Sequence, residues 1–129
     1  MDTRFLEASP ELDSMIATMV MGSPKHQWVE GCGQVDMLGT YEGCSYCSRA
    51  RRPPKVAPSR DEETCIKAYS TDIACAWEVV EKLGMFVGPF ANGEFWAFES
   101  VTRYIEGRTS KAKTGPLAIC REAIRIVSG

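Results

Sequence analysis

Apolar residues recur at helical spacing in three places along this chain, and between the last two they run in a strand-like pattern. The first stripe is Leu12, Met15, Ile16, Met19 and Val20, an i, i+3, i+4, i+7, i+8 series that gathers on one helical face. Ser9 stands before it as a side-chain acceptor for the first orphan amides. Pro10 suits the first helical position, where a missing N–H costs nothing. Gly22 and Pro24 end the stripe, so the pattern predicts a helix over 10–21. A second helix runs from Ser70 or Thr71 as cap to Leu83, with Ile73, Trp77 and Val80 as its buried face beside Ala76 and Leu83. Gly84 stops it, because a left-handed conformation is cheap only for glycine. The third starts near Pro116 and buries Leu117, Cys120, Ile124 and Val127. Met85 to Phe90 and Phe95 to Tyr104 read as strands joined through Asn92-Gly93, where both positions tolerate positive φ. In Phe95-Trp96-Ala97-Phe98 apolar groups fall on both faces, which predicts a sheet covered on both sides. The pattern describes a mixed α/β (α+β) fold, a three-layer α/β/α sandwich around a small, mainly antiparallel sheet.

Residues 23–68 lack this periodicity. Glycines stand at 31, 33, 39 and 43, Trp28-Val29 and Met37-Leu38 are short strand candidates, and Arg49-Ala50-Arg51-Arg52-Pro53-Pro54-Lys55 is a basic loop broken by proline. An irregular excursion with one short hairpin is expected, set on a core of residues 9–22 and 69–128 within a single domain, 1–129. A chain of 129 residues is long enough for one modest core, and a net charge of −2 argues against both disorder and wholesale nucleic-acid binding. Met1-Asp2-Thr3-Arg4 opens no secretory signal, and no apolar run is long enough to span a membrane. A cytoplasmic location follows as the expectation, and there six cysteines stay reduced rather than forming a disulfide framework.

Glu11-Leu12-Asp13-Ser14-Met15-Ile16-Ala17 with Val20-Met21-Gly22, then Tyr69-Ser70-Thr71-Asp72-Ile73-Ala74 running on to Leu83, then Thr114-Gly115-Pro116-Leu117-Ala118-Ile119-Cys120 form three ordered blocks. They resemble the blocks of small proteins from tailed phages and prophages that carry the phage ABA sandwich domain. The resemblance covers residues 11–22, 69–83 and 114–123 and fails over 23–68. It departs at Cys75 and Gly115, where the family has alanine, and both residues are small enough to keep the fold. The resemblance implies the three-layer architecture, a phage origin and hence the cytoplasm of a bacterial host. It implies no activity, so no functional residue is carried over from it.

The chemistry-bearing residues are few. Cys44-Ser45-Tyr46-Cys47 is a Cys-x-x-Cys pair with Cys32 and His26 upstream. Thiolates plus an imidazole suit one structural zinc, which would order a glycine-rich excursion. A single pair without the usual second one is a weak signal, and the competing reading is four ordinary loop residues. Cys75 and Cys120 lie in apolar helical surroundings as small hydrophobes, with no histidine near in sequence to activate them. The surroundings of Cys65 assign it no role. Arg49, Arg51, Arg52, Lys55 and Arg60 form one basic cluster, with Tyr41 and Tyr46 near. Arg108, Lys111 and Lys113 form another before the last helix, where backbone amides at Gly115 and the helix dipole would receive an anion. Solvated loops are the competing reading for both. No carboxylate pair is placed for acid–base work, and no phosphate-loop or dinucleotide motif is present.

No catalytic residue is therefore expected. The sequence favours a non-enzymatic accessory protein that binds a host or phage protein, with blocking of a host defence system among its uses. Trp28, Tyr41, Tyr46, Arg49, Arg51 and Arg52 are the candidate contacts. A binder of a small anionic ligand such as a nucleotide is the alternative, and a zinc-supported nucleic-acid module comes third. Ligand binding requires a concave pocket by the 105–116 loop, whereas protein recognition requires exposed aromatic and arginine side chains.

Overall fold

The computed structural model describes residues 3–36, 39–46, 50–51 and 64–128, with side chains for 3–27, 44–46, 64–90 and 92–128. A single 3-10 turn, Thr3–Phe5, leads into α1, Pro10–Met15, which continues directly as a π-helical segment, Ile16–Val20. Ser9 caps α1 as the sequence predicts, its Oγ accepting from Leu12 N at 3.1 Å. The wider π turn changes the buried stripe: Leu12, Ile16, Ala17 and Val20 are buried while Met19 is exposed, against the expectation for that residue.

The excursion holds an antiparallel sheet of β1 (Trp28–Asp36), β2 (Gly39–Cys44) and β3 (Ala50–Arg51). It is longer and more regular than the single short hairpin expected. Trp28 pairs with Cys44 and Asp36 with Gly39, and the register shifts between Glu30 and Val35, where Gly31 and Gly33 stand. Met37 and Leu38 lie outside the described residues.

The core follows. α2 (Ile73–Leu83) is capped by Asp72, not by Ser70 or Thr71: Asp72 Oδ1 accepts from Ala74 N at 2.8 Å and Cys75 N at 3.3 Å. Ser70 is buried instead, its amide donating to Asp13 Oδ1 at 2.7 Å and its Oγ accepting from Ser9 N at 3.2 Å, which ties α1 to the entry of α2. The buried face of α2 is Ala76, Val79 and Val80; Ile73 is 55% and Trp77 48% exposed. The cap shifts the helix start by about one residue, and a small-residue face lets α2 lie close on its neighbour, turning the indole outward. Gly84 ends α2 at φ 67° as expected.

β4 (Phe86–Pro89) and β5 (Phe95–Phe98) pair antiparallel through Asn92 and Gly93, which adopt φ of 70° and 75°. β5 stops at Phe98, earlier than the sequence pattern suggests. Ser100 Oγ accepts from Arg103 N at 3.3 Å and starts α3 (Val101–Ile105). β6 (Ser110–Ala112) pairs with β5 and completes a three-stranded antiparallel sheet. α4 (Gly115–Ser128) is the hub, packing on β4, β5, β6, α2 and the π-helical segment. Leu117, Cys120 and Ile124 are buried along it as expected, but Val127 is 37% exposed near its end. The fold is the α+β sandwich expected: α4, α2 and the first helix on one side of the sheet, α3 on the other.

Candidate functional site

Three features of this fold carry chemistry, and the first is the sheet face turned away from α4. Strand alternation sends Ala97, Ser110 and Ala112 toward α4, leaving Phe86, Gly88, Trp96, Phe98 and Lys111 on the opposite face. Phe86 pairs with Phe98, Gly88 with Trp96, and Trp96 with Lys111. A Cβ on Gly88 would sit 3.5 Å from the Trp96 ring, so the missing side chain there gives the indole its bed. The rings stack in a chain: Phe86 to Phe98 with centroids 5.2 Å apart, Phe98 to Trp96 4.7 Å, and Trp96 to Tyr104 of α3 5.2 Å. Each such contact is worth about 0.5–1.5 kcal/mol beyond area burial. The cluster is half open: Phe98 is 6% exposed, but Phe86 is 49% and Tyr104 50%. Val101 and Ile105 on α3 are also exposed, as is Phe90, over whose ring the Lys111 ammonium lies at 4.3 Å.

The second feature is a cleft of about 430 Å³ between the 3-10 turn, β6 and α4, lined by Thr3, Arg4, Thr109, Lys111, Arg121 and Arg125 among others. Its guanidinium groups are already engaged. Arg125 donates from Nε to Glu122 Oε1 and from Nη2 to Glu122 Oε2, both at 2.8 Å, and from Nη2 to Glu99 Oε2 at 3.1 Å. These bonds and charges hold it firmly protonated. Glu122 is fully buried and also accepts from Ser110 Oγ at 2.8 Å. Arg121 donates to Leu6 O at 2.8 Å and Lys111 O at 2.7 Å, tying the N-terminal segment to β6.

The third feature is a cluster of His26, Cys44 and Cys65, whose ligand atoms all lie within 4.8 Å of one another. Cys44 and Cys65 are buried thiols with sulfurs 3.8 Å apart. The two other described thiols lie in the core: burial pushes Cys75 above its ordinary value and Cys120 up to about 12.

A family model of the phage ABA sandwich domain matches residues 14–124. The chain belongs to that family. A solved structure of a phage protein from Bacillus cereus ATCC 14579 is similar at 21% identity over 93% of this chain and 95% of that one, with a TM-score of 0.43. No curated protein matches.

In this phage ABA sandwich protein the sequence-predicted site residues separate. Of the anion set, Lys111 lines the cleft, but Arg108 pairs with Glu106 at 3.5 Å on the surface, Lys113 is exposed, and Gly115 is buried against Ile73 and Phe95. Of the protein-contact set, Tyr46 is half exposed with the Lys67 ammonium 5.2 Å over its ring. Trp28, Tyr41 and Arg51 are strand residues whose side chains lie outside the described ones, as do Arg49 and Arg52 entirely. Of the metal set, His26 and Cys44 meet; the Cys32 and Cys47 thiols lie outside the described residues, and Cys65 joins from a distance no sequence spacing signals. Arg121, Glu122 and Arg125 were also invisible as a group, because a helical i, i+3 pair reads as an ordinary solvated face. No helix among the described residues is long and apolar enough to cross a membrane.

Proposed function

We propose that this phage protein is a non-enzymatic accessory protein that binds a host or phage protein through the outer aromatic face of its core sheet. The half-open ring chain Phe86–Phe98–Trp96–Tyr104 carries the reading. Exposed aromatic side chains gathered on a rigid strand pair are what interface hot spots use, and monomers rarely leave such patches bare without purpose. Partly buried Cys75 and buried Cys120 have raised pKa values that disfavour thiolates, which fits a binding role better than thiol catalysis. A component of host defence is one target class for such a surface. On this reading the contact surface lies on the sheet; of the excursion contacts expected from the sequence, only the side chain of Tyr46 is among the described ones.

The cleft favours a second reading, a small anionic ligand held beside Arg4 and Arg121. Glu122 and Glu99 neutralise Arg125, and the Lys111 ammonium is spent on Phe90, so the field left for an anion is modest.

The test is affinity capture from infected host cells with the wild-type chain, a Phe86→Ser/Tyr104→Ser variant and an Arg121→Ala variant, with folding checked by circular dichroism. A protein held by wild type and Arg121→Ala but lost by the aromatic variant supports the proposal. Capture that survives in the aromatic variant refutes it. A co-purified phosphorylated small molecule lost only in Arg121→Ala selects the cleft instead.

A further inference from the structure

We infer that His26, Cys44 and Cys65 form a structural zinc site that clasps the base of the excursion. The three residues come from three separate pieces of chain. His26 lies just before β1, Cys44 ends β2, and Cys65 lies on the return toward α2. The pieces are already sewn together beside the cluster: Lys25 bridges Thr64, Cys65 N donates to Pro24 O at 2.7 Å, and Ser45 N donates to Gln27 O at 2.9 Å. Backbone pairing therefore brings soft donors to one point from both ends of the excursion, an arrangement that a chance surface cysteine does not reach.

The distances fit the ion. Zinc–sulfur bonds of about 2.3 Å at tetrahedral angles put two thiolate sulfurs about 3.8 Å apart. Cys44 Sγ and Cys65 Sγ stand 3.8 Å apart, and the nearest His26 ring nitrogen lies with both inside 4.8 Å. The surroundings fit the charge state. Gln27 N and Tyr46 N each point at Cys44 Sγ from 3.4 Å, two amide donors aimed at one sulfur. A thiol sulfur is a weak acceptor and a metal-bound thiolate a better one, so the two amides suit a sulfur that holds a metal.

Burial supplies the third argument. Cys44 is 3% and Cys65 1% exposed, too dry for two thiolates by themselves. One divalent cation cancels both charges: binding releases one proton from each thiol to solvent, and neutral imidazole adds no charge. Two soft thiolates with imidazole select zinc over the hard cations, which prefer oxygen. Three donors among the described residues leave one position of the tetrahedron for a further donor. Cys65 joins His26 and Cys44 of the sequence-based set, whose Cys32 and Cys47 thiols lie outside the described side chains. This inference is independent of the aromatic face.

The test measures metal in the full chain purified without chelator. About one zinc per chain is expected, and in competition with a chelator Cys44→Ser and Cys65→Ser should each hold zinc at least about tenfold more weakly, as loss of a ligand should exceed the 10–100-fold effect on affinity of losing a ligand's own partner. Cys75→Ser should keep it. Because the serine variants can fail to fold, cobalt(II) alone is also titrated into the metal-free wild-type chain. Thiolate-to-cobalt charge-transfer absorption with intense tetrahedral d–d bands, saturating at one equivalent, supports the site. Absence of both zinc and cobalt bands, a Cys44–Cys65 disulfide in the intact mass, or zinc retained by a folded Cys65→Ser chain overturns it.

Discussion

Glu122 is the one fully buried carboxylate side chain among the described residues, and removing it tests the joint between α4 and β6. Its oxygens accept three bonds, one from Ser110 Oγ and two from Arg125, each 2.8 Å long. Breaking a buried ion pair from one side costs about 3–5 kcal/mol when the partner charge is stranded. Arg125 is not wholly stranded, because its side chain is 28% exposed and keeps Glu99 at 3.1 Å, which puts the charge contribution at the lower end. The Ser110 hydroxyl is the worse case. It sits in a buried residue and would lose its acceptor, at about 1–3 kcal/mol. Glu122→Ala should therefore lose about 4–6 kcal/mol in all. Glu122→Gln keeps the volume and one acceptor but turns an amide N–H toward Arg125, and should lose about 1–3 kcal/mol. Glu122→Leu combined with Arg125→Met removes both charges and should be more stable than Glu122→Ala, since apolar residues of similar volume replace buried pairs well. Urea melts read these directly, with an unchanged m-value showing that the same surface is exposed on unfolding. A Glu122→Ala chain within about 1 kcal/mol of wild type, or a double variant no better than it, would refute the network as the source of this stability.

Other consequences are simpler to state. Trp77→Ala should lose about 1.5–2.5 kcal/mol in the same melts, against about 3–5 for a core tryptophan, because half of the residue already meets solvent. In the native chain Cys120 should resist Ellman's reagent at neutral pH and react only on unfolding, because its thiol is fully buried and its pKa is pushed up to about 12. That raised value is also a pH prediction. Cys120 contributes full stability below its ordinary pKa of 9.0 and loses it as pH climbs toward about 12, where the unfolded chain ionises and the native one resists. Stability should therefore decline above pH 9 less steeply in Cys120→Ala; an identical decline would place the alkaline transition elsewhere.

The elements were legible where one residue type had one physical reason to be there. Ser9 before Pro10, Gly84 after Leu83 and Asn92-Gly93 each satisfy a local backbone need, and each acts as expected. Trp77 misled because hydrophobicity alone favours burying the largest apolar ring. The face that packs on α4 is built from Ala76, Val79 and Val80, where closeness of approach decides. The run to Tyr104 looked like strand because valine, threonine, arginine and tyrosine are all tolerated there. The Ser100 cap, a side-chain bond across three residues, outweighs that preference. The site was less legible than the fold for a geometric reason. Cys65 is 21 residues from Cys44 and 39 from His26, and only strand pairing in the excursion folds that distance away.

The two-sided apolar run in β5 has a consequence for function. Such a run demands cover on both faces of the sheet. On the inner face α4 provides it in full, and Ala97 and Ala112 are buried. On the outer face α3 has only five residues and sets Tyr104 on the rings, leaving about half of Phe86 and of Tyr104 itself in water. Each of these side chains can bury about 150–250 Å², so the two together leave roughly 150–250 Å² of aromatic surface bare. Adding Phe90, Val101 and Ile105 brings the apolar surface into the few-hundred Å² range of the largest patches on ordinary monomers. A stable complex needs about 800 Å² from each partner, so this surface can form the apolar centre of an interface but not the whole of it. A rim must come from around it, and Lys111, whose ammonium lies over the Phe90 ring, is one charged group that borders it. Substituting the rim should then change association rate and salt dependence, while substituting Phe86 or Tyr104 should change dissociation. If both classes of substitution altered only the association rate, the rings would be bystanders and the aromatic face would not be the binding surface.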